Sequence, residues 1–284
     1  MTKKIVSFAT LFCLGACTHL TPQSREIAGD KYKIPVNLSK VVKQNKMECG
    51  PASIFNSFSL GNGLLQEKIE KLSGQTRLEK FETLVAKIAH KPSEHFKKTR
   101  PRTTAKGTML GDMRFIAQDI LETSHDFVGE YMIRPDLVFP FGEHAEKVRK
   151  QIENSIKAKV PPVMGVGFYD EGFQRLGGHY VTLIAVSEMQ EHGQFTVTYL
   201  DPMDLEVHSA IVFESEESFE ADSFEIYEPE EGTPLTGRVV INGKQINAPF
   251  LIVYTEDKTL SSDEGLTDYI TFEVLMGKFS GSVY

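Results

Sequence analysis

Apolar positions recur at helical spacing through the first half of the chain and at strand spacing through much of the second, with the change at Pro161-Pro162. From Cys49 onward, Ile54, Phe55 and Phe58 fall on one face of a helix that Gly61-Asn62-Gly63 stops. Pro51 sits in its first turn, where a missing N–H costs nothing because that group has no partner within the helix. Cys49 is therefore expected at or just before a helix N-terminus. LLQEKIEKLS (64–73), RLEKFETLVAKIAHK (77–91), GTMLGDMRFIAQDIL (107–121) and HAEKVRKQIENSIKAK (144–159) read as further helices, with Thr108 as the N-cap of the third. Val41-Val42 reads as the end of a short strand. Beyond Pro162, PVMGVGFY, GHYVTLIAVSE and QFTVTYLDP are rich in β-branched and aromatic residues and separated by glycine-containing turns, so they read as consecutive antiparallel strands. Residues 237–257 read as a hairpin turning at Asn242-Gly243. Helices first and an antiparallel sheet second make one α+β domain the simplest fold class.

Two charged stretches interrupt this pattern. Residues 87–106 hold seven Lys/Arg against one acid, with Pro92 and Pro101, and read as an exposed basic loop. Residues 214–231 carry nine acids and no base, and read as a solvated loop or the outer face of an irregular hairpin. The chain of 284 residues carries a net charge of −8, which argues against nucleic-acid binding as its main role, and it has no recognition motif for one.

The N-terminus has the pattern of a processed segment. Lys3 and Lys4 precede an apolar run from Ile5 to Ala16 that is too short to span a bilayer and suits a signal-peptide core. The run ends in Leu14-Gly15-Ala16-Cys17. This resembles the lipobox of bacterial lipoproteins, which implies removal of residues 1–16 and lipidation of Cys17. An ordinary secretory signal is the alternative. Thr18, not Asp, follows the cysteine, which within the resemblance favours the outer over the inner membrane of the cell envelope. Residues 17–38 are polar with scattered Gly and Pro and read as a tether, leaving 39–284 as the folded domain with a C-terminal β extension from about 206.

With Cys13 leaving in the signal and Cys17 lipidated, Cys49 is the one cysteine left of three. A lone cysteine in an oxidising compartment points to a reactive thiol or a cross-chain disulfide, with a buried inert thiol as the plain alternative. A catalytic thiol needs a base, a group that orients the base, and donors for the developing oxyanion. The chain offers His179 after two glycines at the start of an apolar strand, Asp201 at the end of the next strand, and Gln44 five residues before Cys49. Asp204 is the second candidate orienter.

The string Q-x-x-x-x-C-G-P-A-S, then G-H-Y-V-T-L-I, then L-D-P, resembles the papain-like cysteine peptidases of the bacteriocin-processing, double-glycine-leader type and their stand-alone C39-like relatives, over roughly residues 40–205. The resemblance implies a papain-like fold with Cys49 as nucleophile, His179 as general base and acid, Asp201 as orienter and Gln44 as oxyanion donor. The family's glutamine usually lies six residues before the cysteine, one more than here. The exporter-linked members carry membrane-spanning and ATPase domains; with no P-loop and no spanning stretch here, an exporter role is not expected.

No H-E-x-x-H and no paired Cys/His spacing occurs, so neither metal nor cofactor is expected. The expectation is a lipid-anchored, thiol-dependent peptidase acting on a peptide or protein. The alternatives are a cell-wall amidase or transamidase on the same fold, a non-catalytic peptide-binding relative, and a structural lipoprotein cross-linked through Cys49.

Overall fold

The computed structural model describes residues 32–94, 96–122, 132–138, 145–169, 174–190, 193–214, 219–221, 235–236, 246–248, 251–254 and 269–280. It is α+β: helices and antiparallel strands are both present. The first helix, α1 (Cys49–Leu60), is buried along its whole length. Its apolar face is the one the sequence marks. Its other faces can also be buried because three of their polar side chains have partners: Ser53 donates to Tyr180 O (2.8 Å), Ser57 to Pro161 O (2.5 Å) and Asn56 to Val42 O (3.0 Å).

Around α1 lie α2 (Gly63–Glu70), capped by the Asn62 side chain, and α3 (Arg77–Leu84), which starts in a capping box between Thr76 and Glu79 and runs on into a π-turn, Val85–Ala89. A two-residue hairpin, β1 (Thr103–Thr104) with β2 (Gly107–Thr108), leads into α4 (Leu110–Glu122). Thr108 is not the N-cap expected of it. It lies within β2, two residues before the helix, and its hydroxyl is 2.8 Å from that of Thr103. Val41 and Val42 are in no strand either. They follow a 3-10 turn (Leu38–Lys40), and the Asn56 amide bonds both the N–H and the C=O of Val42, standing in for a strand partner.

The basic stretch 87–106 is not a freely solvated loop. Arg102 is 1% exposed, the largest side chain of the core, and pairs with Glu94 and Asp119. Burial opposes the charges of such a group, and ion pairing on two sides outweighs it: the carboxyls of Glu94 and Asp119 are held below their ordinary range.

The strands β3 (Met132–Val138), β4 (Val163–Tyr169), β5 (Gln174–Val186), β6 (Phe195–Leu200), β7 (Val207–Glu214), β11 (Leu251–Tyr254) and β12 (Tyr269–Ser280) form one sheet in the order β11-β7-β6-β5-β4-β12-β3. The consecutive antiparallel trio expected after Pro162 is β4, β5 and β6. β11 also meets β12 at Ile252↔Thr271, so the sheet curls until distant strands touch. β9 (Leu235–Thr236) adds to β5, and β8 (Phe219–Ala221), inside the acidic stretch, pairs with β10 (Ile246–Ala248). The Asn242-Gly243 turn lies outside the described residues. β3 contains Pro135 and sits at the sheet edge, where a residue with no N–H to donate is tolerated.

One apolar cluster joins the sheet to Val148, Ile152 and Ile156 of α5 (Ala145–Lys157); the other lies among α1 to α4 and reaches Val163 and Tyr180. Lys33 and Ile34, within the stretch expected as a tether, are part of the fold: Lys33 bridges to Ala185, and Ile34 is 3% exposed and donates to Ile184 O at 2.9 Å. Among the described residues no helix is long and apolar enough to cross a membrane.

Candidate active site

Each residue of Cys-Gly-Pro-Ala-Ser has a separate physical task. Cys49 is the first residue of α1, and no side chain caps that helix end, so its first N–H groups are not used by a cap. Gly50 lies where a Cβ would stand 2.6 Å from Met113 Sδ and 3.1 Å from Thr108 Cβ, so its lack of a side chain lets α4 and β2 approach. Pro51 fills a first-turn position that needs no N–H. Ala52 is fully buried, and Ser53 ties α1 to β5 from both sides: its hydroxyl donates to Tyr180 O, and its carbonyl accepts from the Thr182 hydroxyl at 3.0 Å. Those two bonds hold the helix beside the strand that carries His179.

His179 and Asp201 meet. His179 Nε2 lies 3.0 and 3.1 Å from the two carboxylate oxygens of Asp201, with His179 5% exposed and Asp201 fully buried. Asp201 is itself fixed: its Oδ1 accepts from Met203 N at 2.6 Å, its N–H donates to Glu206 O, and its C=O accepts from Leu205 N. The turn after Asp201-Pro202 thus clamps the carboxylate that orients the ring. Asp204 turns elsewhere and bonds His208 at 2.8 Å.

The Cys49 side chain also acts on the His179 ring, raising its hold on the proton together with Asp201. Nε2 is taken up by Asp201, so Nδ1 is the ring nitrogen that the carboxylate does not use. Burial alone would push His179 below its ordinary 6.5; the hydrogen bonds to Asp201 and then to Cys49, with the charges behind them, outweigh it and raise the group to about 10. Cys49 is 6% exposed, and Gly178, next to His179, is exposed at the mouth of the site. Cys49 at the head of α1 and the His179–Asp201 pair thus act on one another, a grouping that can hold a proton taken from the sulfur and later give it up.

Gln44 comes near this line by a different route from the one its spacing implies. A turn from Asn45 to Glu48 (Glu48 N to Asn45 O, 2.9 Å) brings it back toward α1, and its backbone N–H donates to Pro202 O at 2.8 Å, beside Asp201. Its side-chain nitrogen donates to Lys46 O at 2.8 Å. Sequence reasoning did not pick out Ser53, Thr182 or Asn56 as supports of the site, because a buried serine or asparagine in a helix carries no mark until its partner strand is known.

Among the described residues, Asp204, Glu206 and His208 are the group whose donor atoms, within 4.8 Å of one another, match a metal site in type. They alternate along the chain beyond Asp201, Glu206 is exposed, and the bond described above that ties them to the site is a backbone one, from the Asp201 N–H to Glu206 O. Comparison with known proteins finds no matching family model and no matching curated protein.

Proposed function

We propose that the chain is a papain-like, thiol-dependent acyl-transfer enzyme whose ordinary reaction is peptide-bond hydrolysis. The observation that carries this reading is the buried Cys49–His179–Asp201 line. An inert core thiol needs no buried carboxylate and imidazole beside it, and burying such a pair is costly unless it serves something. In the reactive form the thiol proton already sits on His179, which Asp201 helps to hold protonated, and Cys49 Sγ attacks the substrate carbonyl as the thiolate. The C–N bond then breaks, and the amine leaves with that proton. Water, deprotonated by His179, attacks the thioester, releases the carboxylic acid and restores the thiol. Asp201 holds the ring and balances its charge. The Cys49 N–H at the start of α1 is one oxyanion donor, and the Gln44 amide becomes the second by exchanging Lys46 O for the oxyanion. An amine in place of water would make the same thioester a transamidase intermediate.

The lipobox-like Leu14-Gly15-Ala16-Cys17 supports a lipid anchor on the bacterial cell envelope, with Thr18 favouring the outer membrane, and hence a peptide or protein substrate outside the cytoplasm. The bond from Gln44 to Lys46 O favours one second reading, a peptide-binding relative without turnover. The test is incubation with a peptide digest, followed by intact-mass measurement of the protein. Cleaved peptides and an acyl adduct on Cys49, both absent from Cys49→Ala, support the enzyme. Peptides retained equally by both proteins, with neither cleavage nor adduct, support the binding module.

A further inference from the structure

A groove of about 500 Å³ opens beside the candidate active site. Segment 41–45 forms one wall, and Arg77 and Leu78, at the start of α3, form the other. The first wall leads through the Asn45–Glu48 turn into Cys49, and Gln44 N is fastened to Pro202 O beside Asp201. The groove therefore shares Gln44 and Asn45 with the segment that leads into Cys49.

The lining has a definite chemical character. Lys43 is exposed, and Arg77 reaches Glu70 through Nη2 while its Nη1 is buried without a hydrogen-bond partner. Glu70 is shared with Lys80, so the cations of this corner outnumber the one carboxylate between them. Glu79, the other acid of the helix's first turn, is taken up by the backbone N–H groups of Gln75 and Thr76. Gln44 gives Nε2 to Lys46 O, which fixes the orientation of its amide and leaves Oε1 buried without a partner. Leu78, 51% exposed, forms an apolar lip. Surplus positive charge, an unused donor, an unused acceptor and an apolar rim match an extended peptide that carries an acidic side chain beside an apolar one.

We propose that the groove between segment 41–45 and Arg77-Leu78 is a substrate subsite that selects an acidic side chain through Arg77 and Lys43 and an apolar neighbour over Leu78. This rests on the peptide-processing reading of the site. The carboxylate pairs with Arg77 Nη1 as the side chain swings toward the groove, and a peptide N–H of the same segment donates to Gln44 Oε1.

The probe is an equimolar heptapeptide library, read in two ways by mass spectrometry: cleavage by the native full chain, and retention by Cys49→Ala. The same readings are repeated with Arg77→Glu and with Lys43→Glu, the latter an exposed position whose change leaves the Arg77–Glu70 pair intact. The expected result is enrichment of Asp and Glu over Asn and Gln at one position by about tenfold, lost or reversed toward Lys and Arg in both variants. Acidic enrichment in retention without cleavage sustains the subsite and sinks the peptidase. Cleavage without acidic enrichment, or enrichment unchanged by both substitutions, overturns the subsite and leaves the peptidase standing. Absence of both cleavage and retention overturns both.

Discussion

Asp201 and His179 are closed to water, and a buried imidazole left to itself gives up its proton. Asp201 and Cys49 reverse that tendency and hold His179 near 10 against 6.5 in the open chain. Because the folded value is the higher one, proton binding favours the native state. This stability is fully present below about 6.5 and is lost as the pH rises through about 10. Asp201→Ala removes the counter-charge, so urea unfolding at pH 7 and pH 10.5 should show a larger fall in stability for the native protein than for the variant; equal falls contradict the pairing. Gln44→Ala is expected to lower kcat by about a hundredfold if the amide reaches the oxyanion. An unchanged kcat removes Gln44 from the chemistry. The place of Cys49 at a helix start and the meeting of His179 with Asp201 were legible in the sequence, because Pro51 marks a first turn and two adjacent antiparallel strands bring the pair together. The position of Gln44 was not legible, since a turn and a backbone bond to Pro202 decide where its amide points.

At the scale of elements, the distance from Cys49 to His179 depends on how α1 lies against β5, and Ser53 sets that contact with two hydrogen bonds. Ser53→Ala should cost about 1 kcal/mol in denaturant unfolding and, on the proposed reaction, lower turnover by more than that loss of stability explains, because the Cys49 thiol drifts from His179. Gly50→Val meets Met113 and Thr108 and should cost about 1–3 kcal/mol. Both are read from urea midpoints, and a Ser53→Ala protein with native midpoint and native rate would dismiss the clamp. Strong periodicity made α1 to α5 and the strand trio legible. β3 was hidden by Pro135, which reads as a strand breaker until the strand is known to be an edge. Thr108 looked like a cap, but the Thr103–Thr108 hairpin extends the chain one residue further before α4 begins.

Across the molecule's described residues, the site stands where the helical cluster meets the sheet cluster, and the segment around Arg102 braces the helical side. Arg102 holds Glu94 and Asp119, this fixes the β1–β2 hairpin that follows it, and Thr108 of that hairpin packs against Gly50 at the start of α1. Arg102→Met should destabilise the fold by about 3 kcal/mol, since it removes the guanidinium from Glu94 and leaves Asp119 with Lys91 alone. A thermal or urea midpoint within error of the native one would refute the bracing. Sequence composition alone suggested a solvated basic loop, because seven cations in a short stretch look exposed until the stretch's own Glu94 and Asp119 of α4 are found beside Arg102. The curl of the sheet through Ile252↔Thr271 was equally hidden, being a contact between strands that no local pattern links.

The most direct test is the rate at which iodoacetamide labels Cys49 at pH 6 and pH 8, read from the mass of the peptide that carries it, in the native protein and in His179→Ala. An ordinary cysteine, with a pKa of about 8.5, labels far more slowly at pH 6. A catalytic Cys49–His179 pair predicts rapid labelling at both pH values in the native protein and at least about a tenfold slowing at pH 6 in the variant. Slow labelling at pH 6 that the substitution leaves unchanged would contradict it and return Cys49 to the role of a packed, inert thiol.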